Sequence, residues 1–565
     1  MAERCKNMES IIDFVTTGDV SDMSDLSDYG SEDEVQQIQA EVEFPEEDSD
    51  LDDDSDGDIP LAQLAAENFI MDNTNKDSDG VAKVHTYRWR KKEPPMRDTI
   101  FKGEFSQPPA VDQTPMDYFD LFFTNEIISM IVDQTNLYST QKHGKCVNTN
   151  ANEMRRFFGM HLLMGIVKLP AYTLYWSNNV RYPPVADVML LKRFESLKRS
   201  IHVVDNTIFD KDSDDKLFKI RPLLEAVRNE CIKVKPEEYQ SVDEQIIPSK
   251  TRRTKIRQYN PKKPKKWGFK NLVRAGASGF MYDFFLYAGK DEPDPQANIQ
   301  ICAQVVSKLC KDLPGHLNHK VFFDNWFTTL DLMMHLKQQS LHAVGTIRQN
   351  RVKNCPLKPS KDLEKEGRGS LDYRTDNNSG IIITKWVDNK TIMLCSNYVG
   401  AEPLGSVKRW RKQEKSRVDV NCPQIVIAYN KSMGGVDLAD MLIALYRIPI
   451  KTQRWYIKVF WHLVDKAKVN SWILYRRHCD QKGIPKKSRM TLLKFTTNLA
   501  QETMHSKQSL TPSRGRPTNR LLQATGEVAK QNKRGKAPSQ VNPSQGVRYD
   551  RFLPDRNCFN DYHTK

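Results

Sequence analysis

KVFFDNWFTTL, residues 320–330, holds three apolar residues, Val321, Phe322 and Phe323, that read as a buried strand. They run straight into Asp324 and a bulky Trp326-Phe327 pair instead of a loose polar turn. A carboxylate at the mouth of a hydrophobic core costs free energy unless something compensates it. The flanks give it a context. A helical pattern, NIQICAQVVSKLCKDL, precedes the stretch, and a helix, TLDLMMHLKQQ, and a strand, HAVGTIR, follow it. Upstream lie three short β-branched and aromatic runs, YQSVDEQII, GFKNLVRAG and FMYDFFLYAG, with Ser278-Gly279 linking the last two as a tight hairpin. Three antiparallel strands, then helix, strand, helix, strand, predict an α+β fold around a mixed sheet.

Residues 350–420 interrupt that order with basic, strand-rich sequence, after which QIVIAYN is expected as a strand, KSMGG as a turn and VDLADMLIALY as a helix. Helical patterns also fill MDYFDLFFTNEIISMIVDQTNLYS, NEMRRFFGMHLLMGIVKL and MLLKRFESLKRSIHVVD before the sheet, and QRWYIKVFWHLVDKAKVNSWILYRR after it.

The 565-residue chain is too long for one core, and its net charge of +13 is unevenly spread. Residues 1–80 carry 25 Asp/Glu against three Lys/Arg, a net of −22, so the remainder carries +35. A surplus of that size favours a polyanionic partner, most simply nucleic acid. The Ser/Asp/Glu tracts before residue 90 hold too little apolar surface to order themselves. Residues beyond 505 read as a basic, flexible tail, with 12 Lys/Arg against five Asp/Glu over 501–565. Ten cysteines without a CxxC pair suit a reducing compartment rather than a disulfide framework. No apolar run is long enough for a membrane span and no secretory leader is visible, so the cytosol or nucleus is expected.

Three acids share one local setting. Asp243 lies within the first strand, Asp324 ends a later one, and Asp437 opens a helix after a glycine pair. Carboxylates presented where strands end and a helix begins can converge on two hard divalent cations, Mg²⁺ or Mn²⁺, and so activate water at a phosphate. Each also has an ordinary reading: Asp437 and Asp440 in a first helical turn, Asp324 as an Asx-turn residue, Asp243 paired to the basic loop after it. That loop holds Lys250, Arg252, Arg253, Lys255, Arg257, Lys262, Lys263, Lys265, Lys266 and Lys270 without an acid, interleaved with Tyr259 and Trp267. Phosphate contacts from the cations and base stacking from the aromatics are expected there, against the alternative of a solvated hairpin.

In the same order, SVDEQ, TKIRQYNPKKPKKWGFK, FFDNWFTT, VGTIR, YNKSMGGVDLADM and QRWYIKVFWHLVDKAKVNSW resemble the signature segments of piggyBac transposases and their domesticated relatives, over about residues 115–480. The resemblance implies a ribonuclease-H-like core with a β-rich insertion, flanked by helical dimerisation and DNA-binding segments. Its catalytic aspartates fall on Asp243, Asp324 and Asp437, and a further metal-binding acid on Asp440. It implies a nuclear homodimer that nicks transposon ends, forms a hairpin intermediate and joins a TTAA target, with a DNA-binding protein without catalysis as the alternative. Domain boundaries follow as 1–90 acidic tail, 91–237 helical region, 238–349 first part of the core, 350–423 insertion, 424–444 second part of the core, 445–504 helical region and 505–565 basic tail. Trp455 joins the DNA-binding candidates, although an aromatic at helical spacing equally serves a core. RGRP, residues 514–517, resembles the centre of an AT-hook, and KKPKK passes for a nuclear-import signal. Where the family commonly ends in a zinc domain, this chain retains Cys558 and His563, which alone cannot close a four-ligand site, so bound zinc is not expected.

Overall fold

The computed structural model describes residues 85–505 apart from 96, 210–214, 253, 262, 264, 290–299 and 412–413. The acidic tract, the C-terminal tail with Cys558 and His563, and the cations Arg253 and Lys262 therefore lie outside the described residues.

Helices build the first part: α1 (Pro115–Asp120), α2 (Asn125–His143), α3 (Ala151–Ile166), α4 (Pro183–Ala186), α5 (Leu191–Ser200) and α6 (Arg221–Ile232). Their starts are chemically marked. Thr114 and Asp117 form a reciprocal capping box on α1, and Thr124 and Asn150 side chains cap α2 and α3. The inward stripes of these helices, with Phe119, Phe123, Phe157 and Phe158, merge with the long helix α12 (Trp455–Gln481) and with α13 (Leu492–His505) into one apolar core.

The sheet strands are β1 (Trp89–Arg90), β2 (Tyr239–Pro248), β3 (Arg257–Tyr259), β4 (Trp267–Gly276), β5 (Met281–Leu286), β6 (Lys320–Phe323), β7 (His342–Thr346), β8 (Leu371–Asp376), β9 (Ile382–Val387) and β10 (Thr391–Ser396). Their order is β1-β8-β9-β10-β7-β6-β2-β4-β3, with β5 also on β4. β2 runs antiparallel to β4 and parallel to β6, and β6 runs parallel to β7. The expected α+β mixed sheet is therefore present. The crossovers carry α7 (Ile301–Cys310) before β6 and α8 (Leu330–Gln338) after it, as parallel neighbours require. Gly279, at φ +82°, makes the Ser278-Gly279 turn between β4 and β5.

Segment 350–423, expected as an insertion, divides. Beyond the short helix α9 (Ser360–Glu366), β8, β9 and β10 extend the central sheet through β7, and β11 (Gly405–Arg411) pairs only with β12 (Ser416–Cys422). Two expectations are corrected. QIVIAYN is not a strand but the helix α10 (Gln424–Ser432), entered from Pro423, followed by α11 (Gly435–Leu445). Buried Ile425, Val426 and Ser432 fall on one helical face, which outweighs the β-branched composition. The acidic tail also ends before residue 90. Tyr87 stacks on Trp89 at 5.4 Å, both pack on the core, and Arg88 N donates to Asp376 Oδ1 at 2.6 Å, so the chain is already ordered there. Among the described residues no helix is long and apolar enough to cross a membrane.

Candidate active site

The parallel pairing of β2 with β6 sets the site. Val242 lies opposite Phe323, so Asp243, within β2, and Asp324, the residue that leaves β6, come next on adjacent strands. Val321, Phe322 and Phe323 are fully buried and fix the strand end. The turn after it is closed by four hydrogen bonds: Asp324 Oδ1 accepts from Trp326 N, and Asp324 O accepts from Phe327 N at 3.2 Å, from Thr328 N at 3.3 Å and from Thr328 Oγ1 at 2.8 Å. The expected Asx turn is thus present, and it presents the carboxylate instead of competing with that role.

The third acid arrives on α11. A Cβ added to Gly435 would stand 2.4 Å from Gly276 O and 2.6 Å from Ser241 Oγ, so only glycine lets the helix start seat against β2 and β4. Asp437 follows in the first turn, two-thirds exposed, and Lys263 Nζ stands 3.7 Å from its Oδ1. Asp440, one turn on, is held from below: Gln245 Nε2 of β2 donates to its Oδ1 at 2.5 Å. Gln245 is itself fully buried and fixed by His462 Nε2 of α12, which meets its Oε1 at 2.8 Å.

Electrostatics joins what the backbone places together. Burial, and then the Asp437 carboxylate, push Asp243 up to about 8; Lys263 and the Glu244 N–H oppose the shift, and Asp324 adds to it. Burial raises Asp440 to about 6 against the Gln245 hydrogen bond. Burial works against a charged Lys263, yet Asp437, Asp243, Asp440 and Glu244 together hold its ammonium above the ordinary range. Tyr429 of α10 also belongs here. Burial, and then Asp243, Asp324 and Asp437, raise its phenol, which hydrogen-bonds Thr346 at the end of β7.

The sequence did not single out Tyr429 or Gln245. Pro423 before a stretch with helical spacing was the signal for the first; nothing in the sequence marks the second.

The donor set is carboxylate oxygen throughout, which suits a hard divalent cation, and Asp243 lacks the compensating charge that such an ion would bring. Among the described residues no three His, Cys, Asp or Glu side chains are drawn together closely enough to hold a metal ion, and the Lys263 ammonium supplies positive charge beside Asp437.

The basic run sorts by direction. Lys250, Arg252, Lys255 and Lys266 are exposed, whereas Lys263 turns to the acids and Lys270 pairs with Glu244 Oε2 at 2.6 Å and sits 4.3 Å over Trp326. Lys265 is half-buried. Arg257 covers Trp267 at 4.1 Å, and Tyr259 meets the same indole at 4.8 Å; both rings remain exposed. Trp455 opens α12, half-buried edge-on to Phe269 at 6.0 Å.

Residues 114–472 match the family described as Transposase IS4. The human PiggyBac transposable element-derived protein 2 is 31% identical over 413 residues, 72% of this chain and 68% of its own length. The human PiggyBac transposable element-derived protein 3 is 31% identical over 393 residues, 68% of this chain and 65% of its own length. A cryo-EM structure of the piggyBac transposase synaptic complex with hairpin DNA matches with a TM-score of 0.59 and 24% identity, covering 76% of this chain and 88% of that one.

Proposed function

The chain belongs to the piggyBac transposase family, and on that premise we propose that it is a DNA transposase, or a recent derivative, that cuts and joins DNA ends with divalent metal. The observation that carries this reading is the register Val242 opposite Phe323, which delivers Asp243 and Asp324 together, with Asp437 electrostatically coupled to Asp243. The order β4-β2-β6-β7, antiparallel then parallel, supports a ribonuclease-H-like core.

Asp243, Asp324 and Asp437, with Asp440 behind, would hold Mg²⁺ or Mn²⁺. Bound there, such an ion would supply Lewis-acid chemistry, lowering the pKa of a bound water and stabilising charge on a phosphodiester oxygen. The chain's own groups do the rest. The Asp324 turn keeps one carboxylate still, Gln245 orients Asp440, and the exposed cations of the 250–270 run take phosphates. Trp267 and Tyr259 offer faces to an unpaired base. The same reading carries a hairpin intermediate, a TTAA target, a homodimer and a nuclear location.

A second reading, a domesticated DNA-binding protein without catalysis, draws on one observation: Lys263 occupies the positive position beside Asp437, and the carboxylates are not gathered around one point among the described residues. A Mg²⁺-dependent nicking assay on TTAA-flanked transposon ends separates the two. Cleavage by the parent that disappears in Asp324→Asn is expected. Unchanged cleavage in that variant overturns the site, and a parent that binds these ends without cutting them establishes the second reading.

A further inference from the structure

β11 and β12 form a ribbon outside the central sheet, and its two faces differ. Val407, Val418, Val420 and Cys422 pack onto the core beneath β9 and β10. Cross-strand pairs Ser406–Asn421, Lys408–Asp419 and Trp410–Arg417 put the other six side chains on one outward face, and all six are exposed. The ribbon is held rigidly from below. Arg368 and Arg409 both pair with Asp388, Arg368 Nη1 donates to Trp410 O at 3.1 Å, and Trp386 Nε1 donates to Asn421 O at 2.8 Å.

Trp410 is 49% exposed, more than any other tryptophan among the described residues. Half of this indole stands in water on a polar face, beside the tip of the ribbon. Its surroundings are cationic: Lys408 and Arg417 share the face, and Lys415 with Arg411, the latter paired to Glu414, sits at the tip. The one acid on the face, Asp419, lies across from Lys408 and accepts from Ser406 Oγ at 3.2 Å, so Lys408 and Arg417 leave the face with a net positive charge.

We propose that this outward face is a docking surface for duplex DNA, separate from the 250–270 run, with Lys408 and Arg417 on phosphates and Trp410 against the sugar edge between them. A rigid two-stranded ribbon matches the width of a major groove, and Asn and Arg side chains are the types that reach base edges there. Charge complementarity selects nucleic acid, and the anchored two-stranded form selects a duplex over a single strand, which binds by stacking in a groove. The proposal rests on the reading that this chain handles DNA.

The test is fluorescence anisotropy of the full chain with a random-sequence duplex of about 30 base pairs and with its separated strand, across a salt series. Lys408→Glu/Arg417→Glu is expected to weaken duplex binding about 10- to 100-fold and to lower the log–log salt slope by about two, one for each phosphate left without its cation. Trp410→Ala weakens it by about five-fold with the slope unchanged. If charge reversal disturbs folding, Lys408→Gln/Arg417→Gln carries the same expectation. A parent that binds duplex and variants that bind it equally well overturn the ribbon proposal and leave the DNA-handling reading standing. Variants that lose only single-strand binding, or only self-association, overturn it in favour of another partner. A parent that binds neither probe overturns both.

Discussion

Asp283 on β5 and Asp243 on β2 are carboxylates of one sheet, a strand apart, in opposite circumstances. Asp283 is fully buried and fully answered: Arg228 approaches with Nε at 2.5 Å from Oδ1 and Nη2 at 3.0 Å from Oδ2, and Phe284 N adds 2.7 Å to Oδ1. Asp243 accepts from its neighbour's Glu244 N at 2.7 Å, faces two more carboxylates, and titrates far above the ordinary range. What separates a structural acid from a functional one here is therefore the partner as well as the burial: Asp283 is fully buried and Asp243 partly so. Incomplete compensation marks the second, because several carboxylates share the single ammonium of Lys263, and a fold keeps such a cluster where something else is to supply further counter-charge.

The largest difference between the two regions is expected in activity. Asp243→Asn should reduce Mg²⁺-dependent nicking by at least about 10³-fold while the protein stays folded, as befits the loss of a group acting at the reacting centre. Disrupting the other acid's pairing acts on stability. Arg228→Met strands Asp283 without its cation and should cost about 3–5 kcal/mol in denaturant unfolding, because an uncompensated buried charge remains. A small stability loss there would erase the contrast.

The pH dependence tests Asp243 from a second side. An acid whose folded pKa is near 8 holds its proton more tightly folded than unfolded, so its stabilising contribution is complete below about pH 4 and is lost as the pH rises towards 8. Asp243→Asn removes that loss. Its melting temperature should exceed the parent's by about 2–4 °C at pH 8 and match it near pH 4. The smallest effect concerns the internal cation: Lys263→Gln should tighten Mn²⁺ binding by about three- to ten-fold in calorimetry, since an ammonium no longer stands beside Asp437.

Much of this arrangement was legible in the residues. Periodicity placed β2, β4, β5, β6 and β7 and the helices between them, and the resemblance aligned Asp243, Asp324 and Asp437. Alternation alone did not distinguish Asp283 in FMYDFFLYAG from Asp324 in KVFFDNW; both are acids set in apolar strands, and only the tertiary arrival of Arg228 from α6 assigns the first to structure. QIVIAYN deceived because β-branched residues suit a strand and outweighed the helix signal of Pro423 ahead of it; the buried face of α10 then packs on β10 and β7. The fate of the basic run was likewise not written in its composition. Of the eight described cations of the run, four are exposed, Lys265 is half-buried, Arg257 covers Trp267, and Lys263 and Lys270 are committed to acids.

If Asp243, Asp324 and Asp437 are a cluster that Lys263 compensates only in part and a divalent cation completes, calorimetric titration with Mn²⁺ reads that property directly. The parent should bind Mn²⁺, Asp243→Asn, Asp324→Asn and Asp437→Asn should each weaken binding by about ten-fold or more, and Asp331→Asn, a half-buried acid paired with Lys353 at 2.7 Å, should leave it unchanged. Mn²⁺ binding that is absent in the parent, or as strong in the first three variants as in the parent, would contradict it.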